Sequence, residues 1–240
     1  MRTKDNGKNG TAENTGKKKH AAFTWFKRVT VVFCAVVMYF AVTIGVRGYD
    51  MYKDAIAQVS LKDKVSEIRS KESYTVFSDL PETYMDAVLS VEDHRFYGHI
   101  GIDPIAITRA MVNDVKAGCF VEGGSTITQQ LAKNLYFTQE KKMERKVAEV
   151  FMAFALERDY SKNEILELYV NTIYFGKEPE DLTDYESTLL AGVPNAPSKY
   201  SPTVNLELAE KRQEQVIERL VACGLFTKER AQETLAGSEM

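Results

Sequence analysis

The chain has 240 residues, 44% hydrophobic and 27% charged, an ordinary globular balance that excludes collagen, a disulfide scaffold and disorder along the whole length. Three cysteines, an odd number, exclude a fully paired set. The net charge of −3 hides an asymmetry: residues 1–28 carry eight Lys and Arg against Asp5 and Glu13, a surplus of +6, so the remainder carries −9 and is unlike a nucleic-acid-binding body.

Residues 1–28 read as a basic tail, and the first 20, polar and rich in Lys, Asn and Gly, hold almost nothing to bury and read as disordered. Val29–Val46 is an 18-residue run without a charge. At 1.5 Å per residue it spans about 27 Å, enough for a bilayer core of roughly 30 Å. Phe23, Trp25 and Phe26 precede it and Tyr49 and Tyr52 follow it, like interfacial aromatic belts. A buried core helix and a cleaved signal peptide are the alternatives. The run exceeds the usual apolar region of a signal peptide, about 7–15 residues, and no A-x-A site follows. A signal anchor at residues 29–46 fits best: a single pass of the cell membrane, with the basic N-terminus cytoplasmic and residues 47–240 outside. Cys34 in this run reads as apolar filler, and Cys119 and Cys223 lie beyond it.

Residues 47–75 read as a stalk, helical over 50–72, and residues 76–240 as the compact domain. A short strand is conceivable at Tyr74–Phe77. Asp79 with Pro81 precedes a helix ending near Val91; Asp103 with Pro104 opens Ile105–Lys116, which Gly118 stops. Ser125 caps Thr126–Tyr136, and a long helix covers Glu140–Tyr160. Ser161 with Glu164 and Thr183 with Glu186 are capping boxes. Asn205 precedes a helix to Cys223, and Thr227 begins a last one. The class is mainly α.

Three stretches carry chemistry. Glu92-Asp93-His94-Arg95-Phe96-Tyr97-Gly98-His99-Ile100-Gly101 leaves an apolar helix for a loop, where a half-buried carboxylate can serve as a general base. The same spacing equally suits a capped helix end, and the His and carboxylate spacing fits no zinc pattern. Gly123–Asn134 joins two glycines to a helix start able to hold an anion. Gln129, Gln130, Lys133 and Asn134 follow at helical spacing, suited to a sugar or phosphate or to a solvent-facing stripe. Lys142, Arg145, Lys146 and Glu149 put three cations on one helix face leading to a carboxylate. That face is either a diphosphate clamp or surface pairing worth a few tenths of a kcal/mol. Together they describe an enzyme acting on a phosphorylated, lipid-linked sugar.

These stretches resemble the peptidoglycan glycosyltransferases from about Val76 to Leu220. The motif E-D-x-x-F-x-x-H-x-G is matched by Glu92, Asp93, Phe96, His99 and Gly101, and the second motif by Gly124, Ser125, Thr126, Gln129, Gln130, Lys133 and Asn134. R-K-x-x-E is matched by Arg145, Lys146 and Glu149. The fourth resembles Ile165–Asn171 followed by Tyr174-Phe175-Gly176, and the fifth Arg212–Ile217. With no penicillin-binding transpeptidase domain following, the resemblance is to the monofunctional kind.

The resemblance implies a mainly α, lysozyme-like helical glycosyltransferase domain with a small jaw around Ile105–Val121, preceded by one N-terminal transmembrane helix. It implies polymerisation of lipid II into glycan strands, with inversion and release of undecaprenyl pyrophosphate. Glu92 and Glu149 are then catalytic, Glu92 as base on the acceptor 4-hydroxyl. Glu149, with Arg145, Lys146 and Lys133, holds the donor pyrophosphate directly or through a cation. Asp93, Phe96, His99, Arg109, Gly124, Ser125, Thr126, Gln129, Gln130 and Asn134 join Lys133, Arg145 and Lys146 as substrate-binding residues. No cofactor is required, and a divalent cation, Mg or Mn, near Glu149 is left open. The implied partners are lipid II, the growing strand and the membrane, with penicillin-binding transpeptidases as candidates and no nucleic acid.

One departure stands out. After Gly176 family members continue with a Gly/Tyr/Ala-rich stretch, whereas here Lys177–Leu182 follows at once, roughly 15–20 residues short, before Leu189–Pro197 resumes the pattern. The rival readings are a lytic muramidase-like enzyme and a membrane-anchored binding protein that has lost turnover.

Overall fold

The computed structural model describes residues 9–118, 123–138, 140, 142–172, 182–194 and 196–237, with backbone alone for 9–22, 24, 197 and 198. Helix α1 runs from Asn9 to Gln58, and its stretch Trp25–Gln58 is long and apolar enough to cross a membrane. One expectation is corrected here. The backbone is already helical from Asn9, where disorder was expected: Ala12, Glu13, Lys17, Lys18 and Lys19 are good helix formers, and lengthening a helix needs no new nucleus. The expected helical stalk begins as a continuation of the same helix, which no proline interrupts between Arg47 and Gln58. The break comes at Ser60, whose hydroxyl accepts from the Asp63 N–H and starts α2, Leu61–Arg69.

The upper part of α1 lies against α6, Met143–Asp159. Gly48 makes this possible: a Cβ there would lie 2.6 Å from the Val147 side chain and 2.8 Å from the Glu144 carbonyl. Phe151 packs beside it, its ring 5.1 Å from that of Tyr49 and 5.9 Å from that of Tyr52. The apolar run ends at Val46, so α6 is seated directly at the end of the candidate membrane span.

The core gathers α3 (Glu82–Glu92), α5 (Ile127–Tyr136), α6, α7 (Lys162–Asn171) and α10 (Leu206–Ala222), with α5 and α7 against α6 and α10 against α3. Tyr84, Val88, Leu131, Met152, Leu156, Ile165, Leu168, Val216 and Leu220 are fully buried. Each such aliphatic side chain contributes roughly 1.5–3 kcal/mol. Leu61, Val65 and Ile68 of α2 belong to the same core. Helix α8, Asp184–Ala191, packs on α3 and α10; α9 (Pro197–Tyr200) and α11 (Lys228–Ala236) complete the sequence. The boxes at Ser161/Glu164 and Thr183/Glu186 are both formed.

Among the described residues there is no strand, so the one conceived at Tyr74–Phe77 is absent. Its backbone is held by side chains of α7 instead. Asn171 accepts from the Thr75 N–H (2.9 Å) and donates to the Thr75 carbonyl (2.8 Å), and Glu167 accepts from the Phe77 N–H (2.7 Å). The chain then turns into a 3-10 segment, Phe77–Asp79, and α3 starts only after Pro81.

Helix α4, Pro104–Ala117, occupies the expected jaw. Asp103 caps it by accepting from the N–H groups of Ile105 (2.9 Å) and Ala106 (3.0 Å), and Gly118, at φ 66, ends it. Ile105, Met111, Val112 and Val115 are exposed, Val115 to 81%, an unusual apolar face on an amphipathic helix. Cys119 to Val121, and the segment Tyr174–Asp181 with the apparent shortening after Gly176, lie outside the described residues.

Candidate active site

The first motif folds back on the start of α5. Asp93 sits just past α3 and accepts from the Ile127 N–H (3.1 Å), a carboxylate at a helix N-terminus. His99 Nε2 is 3.0 Å from both Asp93 oxygens. Phe96 is 1% exposed, in the core, its ring edge-on to His99. Thr126 donates its hydroxyl to the Gly101 carbonyl at 2.6 Å. Glu157 of α6 accepts from the Gly101 N–H (3.0 Å), the Thr128 hydroxyl (2.7 Å) and the Lys162 ammonium (2.7 Å). Gly101, at φ 71, supplies the left-handed turn and lets the loop approach Ala153 and Phe154.

The cap of α5 differs from expectation by one residue. Thr126, not Ser125, forms the capping box with Gln129, each side chain accepting from the other's backbone N–H at 3.1 Å. A threonine hydroxyl caps as a serine's does, and sequence cannot choose between neighbours. Ser125 is thereby released toward α6.

Glu92, the last residue of α3, is half-buried. Its Oε2 accepts from Gln130 Nε2 at 2.8 Å, and Gln130 Oε1 accepts from the Tyr169 hydroxyl at 3.1 Å. Glu92 Oε1 is shielded from solvent and has no hydrogen-bond partner among the described residues. Burial raises the Glu92 pKa above the ordinary glutamate value. The Gln130 bond and the charges of Arg212 and Lys133 oppose that rise, while Asp93 adds to it.

Glu92 borders a cleft of about 620 Å³. Asp93, Arg109, Gly124, Ser125, Gln130 and Lys133 share its walls, so the cleft unites seven of the residues singled out from sequence. Burial lowers the Lys133 pKa, and Glu149 opposes this while Arg145 and Lys146 add to it. Phe96, His99, Thr126 and Gln129 do not border the cleft; they hold its walls together. Asn134 is exposed beyond it. A groove of similar size, about 660 Å³, lies between α1 and the end of α5, where Asp50 and Asp54 are exposed.

The cation face adjoins the cleft at Ser125. Glu149 is 1% exposed and paired on one oxygen with the Arg145 guanidinium. Its other oxygen is 2.9 Å from the Lys146 ammonium, which lies 2.5 Å from Ser125 Oγ. This is no exposed surface pair: Arg145 keeps only 15% and Glu149 only 1% of its side chain exposed. Lys142 does not join it. Its ammonium pairs with Glu140 on the surface, with 59% of the side chain exposed.

Neither carboxylate group fits a divalent cation. Both Glu149 oxygens are taken by cations, and Lys133 adds a third positive charge nearby. Asp93, His99 and Asp103 do bring ligand atoms within 4.8 Å of one another. Their oxygens are committed, however: Asp103 to the start of α4 and to Arg95 (2.7 Å), Asp93 to Ile127 and His99. A metal would have to displace a guanidinium and two helix caps.

Tyr169 stood in the fourth motif, but sequence reasoning gave it no role, since nothing beside it marks its hydroxyl as part of a site. Sequence reasoning also left out Tyr200, Arg212, Gln215 and Arg219, which form the cleft's far wall. Arg212 and Gln215 stood in the fifth motif, but nothing local distinguished them from an exposed helix face.

The family model "Transglycosylase" matches residues 61–221. Penicillin-binding protein 1A of Aquifex aeolicus is 41% identical over 180 residues, covering 69% of this chain and 25% of that protein. Penicillin-binding protein 1F of Bacillus subtilis is 42% identical over 171 residues, 65% of this chain and 24% of its own length. Penicillin-binding protein 1A/1B of the same organism is 34% identical over 256 residues, 94% of this chain and 28% of the relative. The chain thus spans about a quarter of the length of these curated relatives. The last match is longer than the chain's own 240 residues, so the relative carries residues that this chain lacks. With the matched region spanning most of the chain and its site motifs, the chain belongs to the transglycosylase family, the peptidoglycan glycosyltransferases.

Proposed function

We infer that the chain polymerises lipid II into glycan strands. The observation that supports this most is Glu92: a half-buried carboxylate on a polar cleft wall, one oxygen held by Gln130 and the other without a hydrogen-bond partner among the described residues. A raised pKa suits a base that takes a proton from a sugar hydroxyl. The acceptor 4-hydroxyl gives its proton to Glu92 while its oxygen bonds to the donor's anomeric carbon. The bond from that carbon to the diphosphate breaks, and the electron pair leaves with undecaprenyl pyrophosphate. A single displacement inverts the anomeric centre, and Glu92 returns the proton to water. Lys133, Arg145 and Lys146 supply positive charge where the leaving diphosphate develops negative charge, and Glu149 holds two of these cations in place.

The anchor fits a lipid-linked substrate. Val46 ends the apolar run, and Gly48 already touches Val147, the residue after Lys146. The clamp therefore lies at the height where a lipid-linked diphosphate meets water. The apolar face of α4 dips into the same interface. The +6 flank keeps the N-terminus cytoplasmic and the cleft outside. Penicillin-binding transpeptidases are the partners that would cross-link the strands.

The residues missing relative to the Bacillus protein 1A/1B favour a second reading, binding without turnover. Incubation of the full chain with labelled lipid II separates the two. Glycan polymer supports the first, and bound but unconverted lipid II the second. Cleavage of finished glycan instead would identify a muramidase-like enzyme.

A further inference from the structure

We propose that Tyr169 is a positioning residue for the base, acting through the side-chain amide of Gln130, which its hydroxyl holds with the NH2 toward Glu92. The proposal rests on the reading of Glu92 as base. Tyr169 is 1% exposed on α7, its hydroxyl 3.1 Å from Gln130 Oε1, and Gln130 Nε2 is 2.8 Å from Glu92 Oε2. The three side chains come from α7, α5 and α3, so the arrangement is tertiary, not a local pairing within one helix.

A glutamine amide can face a carboxyl group in two ways. With its NH2 forward it donates and favours the ionised carboxylate; with its carbonyl forward it accepts and favours the protonated acid. Nothing in Gln130 alone chooses. The Tyr169 hydroxyl does. Its proton has an acceptor in Gln130 Oε1, and turning the amide would set an NH2 group there and strand a buried phenolic proton. Burial raises the Tyr169 pKa far above its ordinary value, so the hydroxyl remains a donor throughout the working range. The other groups facing Glu92 are Tyr84 and Asp93 beside it, Lys133 on α5 and Arg212 on α10. Lys133 and Arg212 favour the ionised base and Asp93 opposes it, and none of these is altered by removing the Tyr169 hydroxyl. What is removed is the lock on the amide.

The test is the pH dependence of kcat/KM for polymerisation of labelled lipid II by the full chain carrying Tyr169→Phe. The acid limb is expected to move to higher pH by about half a unit to one unit, a loss of roughly 3- to 10-fold on the limb, with the plateau within about twofold of wild type. An unmoved limb, or an equal loss at every pH, overturns the proposal, since a merely structural tyrosine would act that way. Should Tyr169→Phe fail to fold, 3-fluorotyrosine at the same position keeps the shape and strengthens the donor. The limb should then move to lower pH, and a limb that stays or rises overturns the proposal. Glu92→Gln run alongside keeps the two ideas apart. If it polymerises, the base assignment has failed; if it is inactive while the tyrosine variants leave the limb in place, only the tyrosine proposal has failed.

Discussion

Two glutamates flank this cleft region, and their surroundings are opposite. Glu149 lies 1% exposed between a guanidinium and an ammonium, so each of its oxygens meets a cation. Glu92 has one amide on one oxygen and, among the described residues, no hydrogen bond on the other. A carboxylate held by two cations serves them as a fixed counter-charge. A carboxylate whose burial is only partly compensated keeps an appetite for a proton. The difference suits the two to the proposed roles, base for Glu92 and holder of the diphosphate clamp for Glu149, and mutation of each should fail in its own way.

The largest effect is expected from Glu92→Gln. Polymerisation of lipid II should fall by about 1000-fold or more, within the range a general base contributes. Stability should not fall with it. Because the folded-state pKa of Glu92 is raised, its favourable contribution exists only while it is protonated and is lost as pH climbs through that raised value. Glutamine escapes this loss, so the melting temperature near pH 7 should equal or exceed that of wild type. A collapse of the fold would erase the contrast. Glu149→Gln should behave the other way. It leaves Arg145 and Lys146 without their counter-charge, at a cost of about 3 kcal/mol, the low end for breaking a buried pair because Lys146 keeps 40% of its side chain exposed. Melting should drop by roughly 6–12 °C, as read by calorimetry.

A smaller effect sharpens the comparison from outside the cleft. Gly48→Leu forces a side chain against Val147, on the far side of α6 from the clamp. Overpacking costs about 1–3 kcal/mol, and if about 1 kcal/mol of this falls on the bound lipid diphosphate, KM should rise roughly fivefold. The acid limb of the pH profile, which belongs to Glu92, should stay in place. The smallest effect is expected at Lys142, whose ammonium pairs with the surface residue Glu140. Lys142→Gln should change turnover by less than about twofold, since exposed pairs are worth little; a large loss would return it to the clamp.

Much of this was legible before the fold was. Asp103-Pro104, Ser161 with Glu164 and Thr183 with Glu186 announce helix starts through local chemistry, and all three appear where expected. Residues at i, i+3 and i+4 also place Arg145, Lys146 and Glu149 together. Spacing could not show whether that face was wet or covered, because an exposed stripe and a buried clamp share one periodicity. The deciding contact comes from elsewhere: Ser125, 21 residues before Lys146. The same limit hid Tyr169. Its neighbours Leu168 and Val170 are apolar, and only the distant Gln130 gives its hydroxyl a purpose. The tail failed for another reason: low hydrophobicity argues against a core, not against extending a helix already nucleated downstream.

The central claim is that Glu92 is held in the folded chain as a carboxyl with a raised pKa, and it can be read directly. Carbon-13 labelling of glutamate side chains, followed by NMR titration of the full chain in detergent, resolves the carboxyl signals, and Glu92→Gln identifies one by its disappearance. That signal is predicted to titrate clearly above the ordinary glutamate value of 4.5. Titration at or below that value would contradict the account, because nothing would then mark Glu92 as the base.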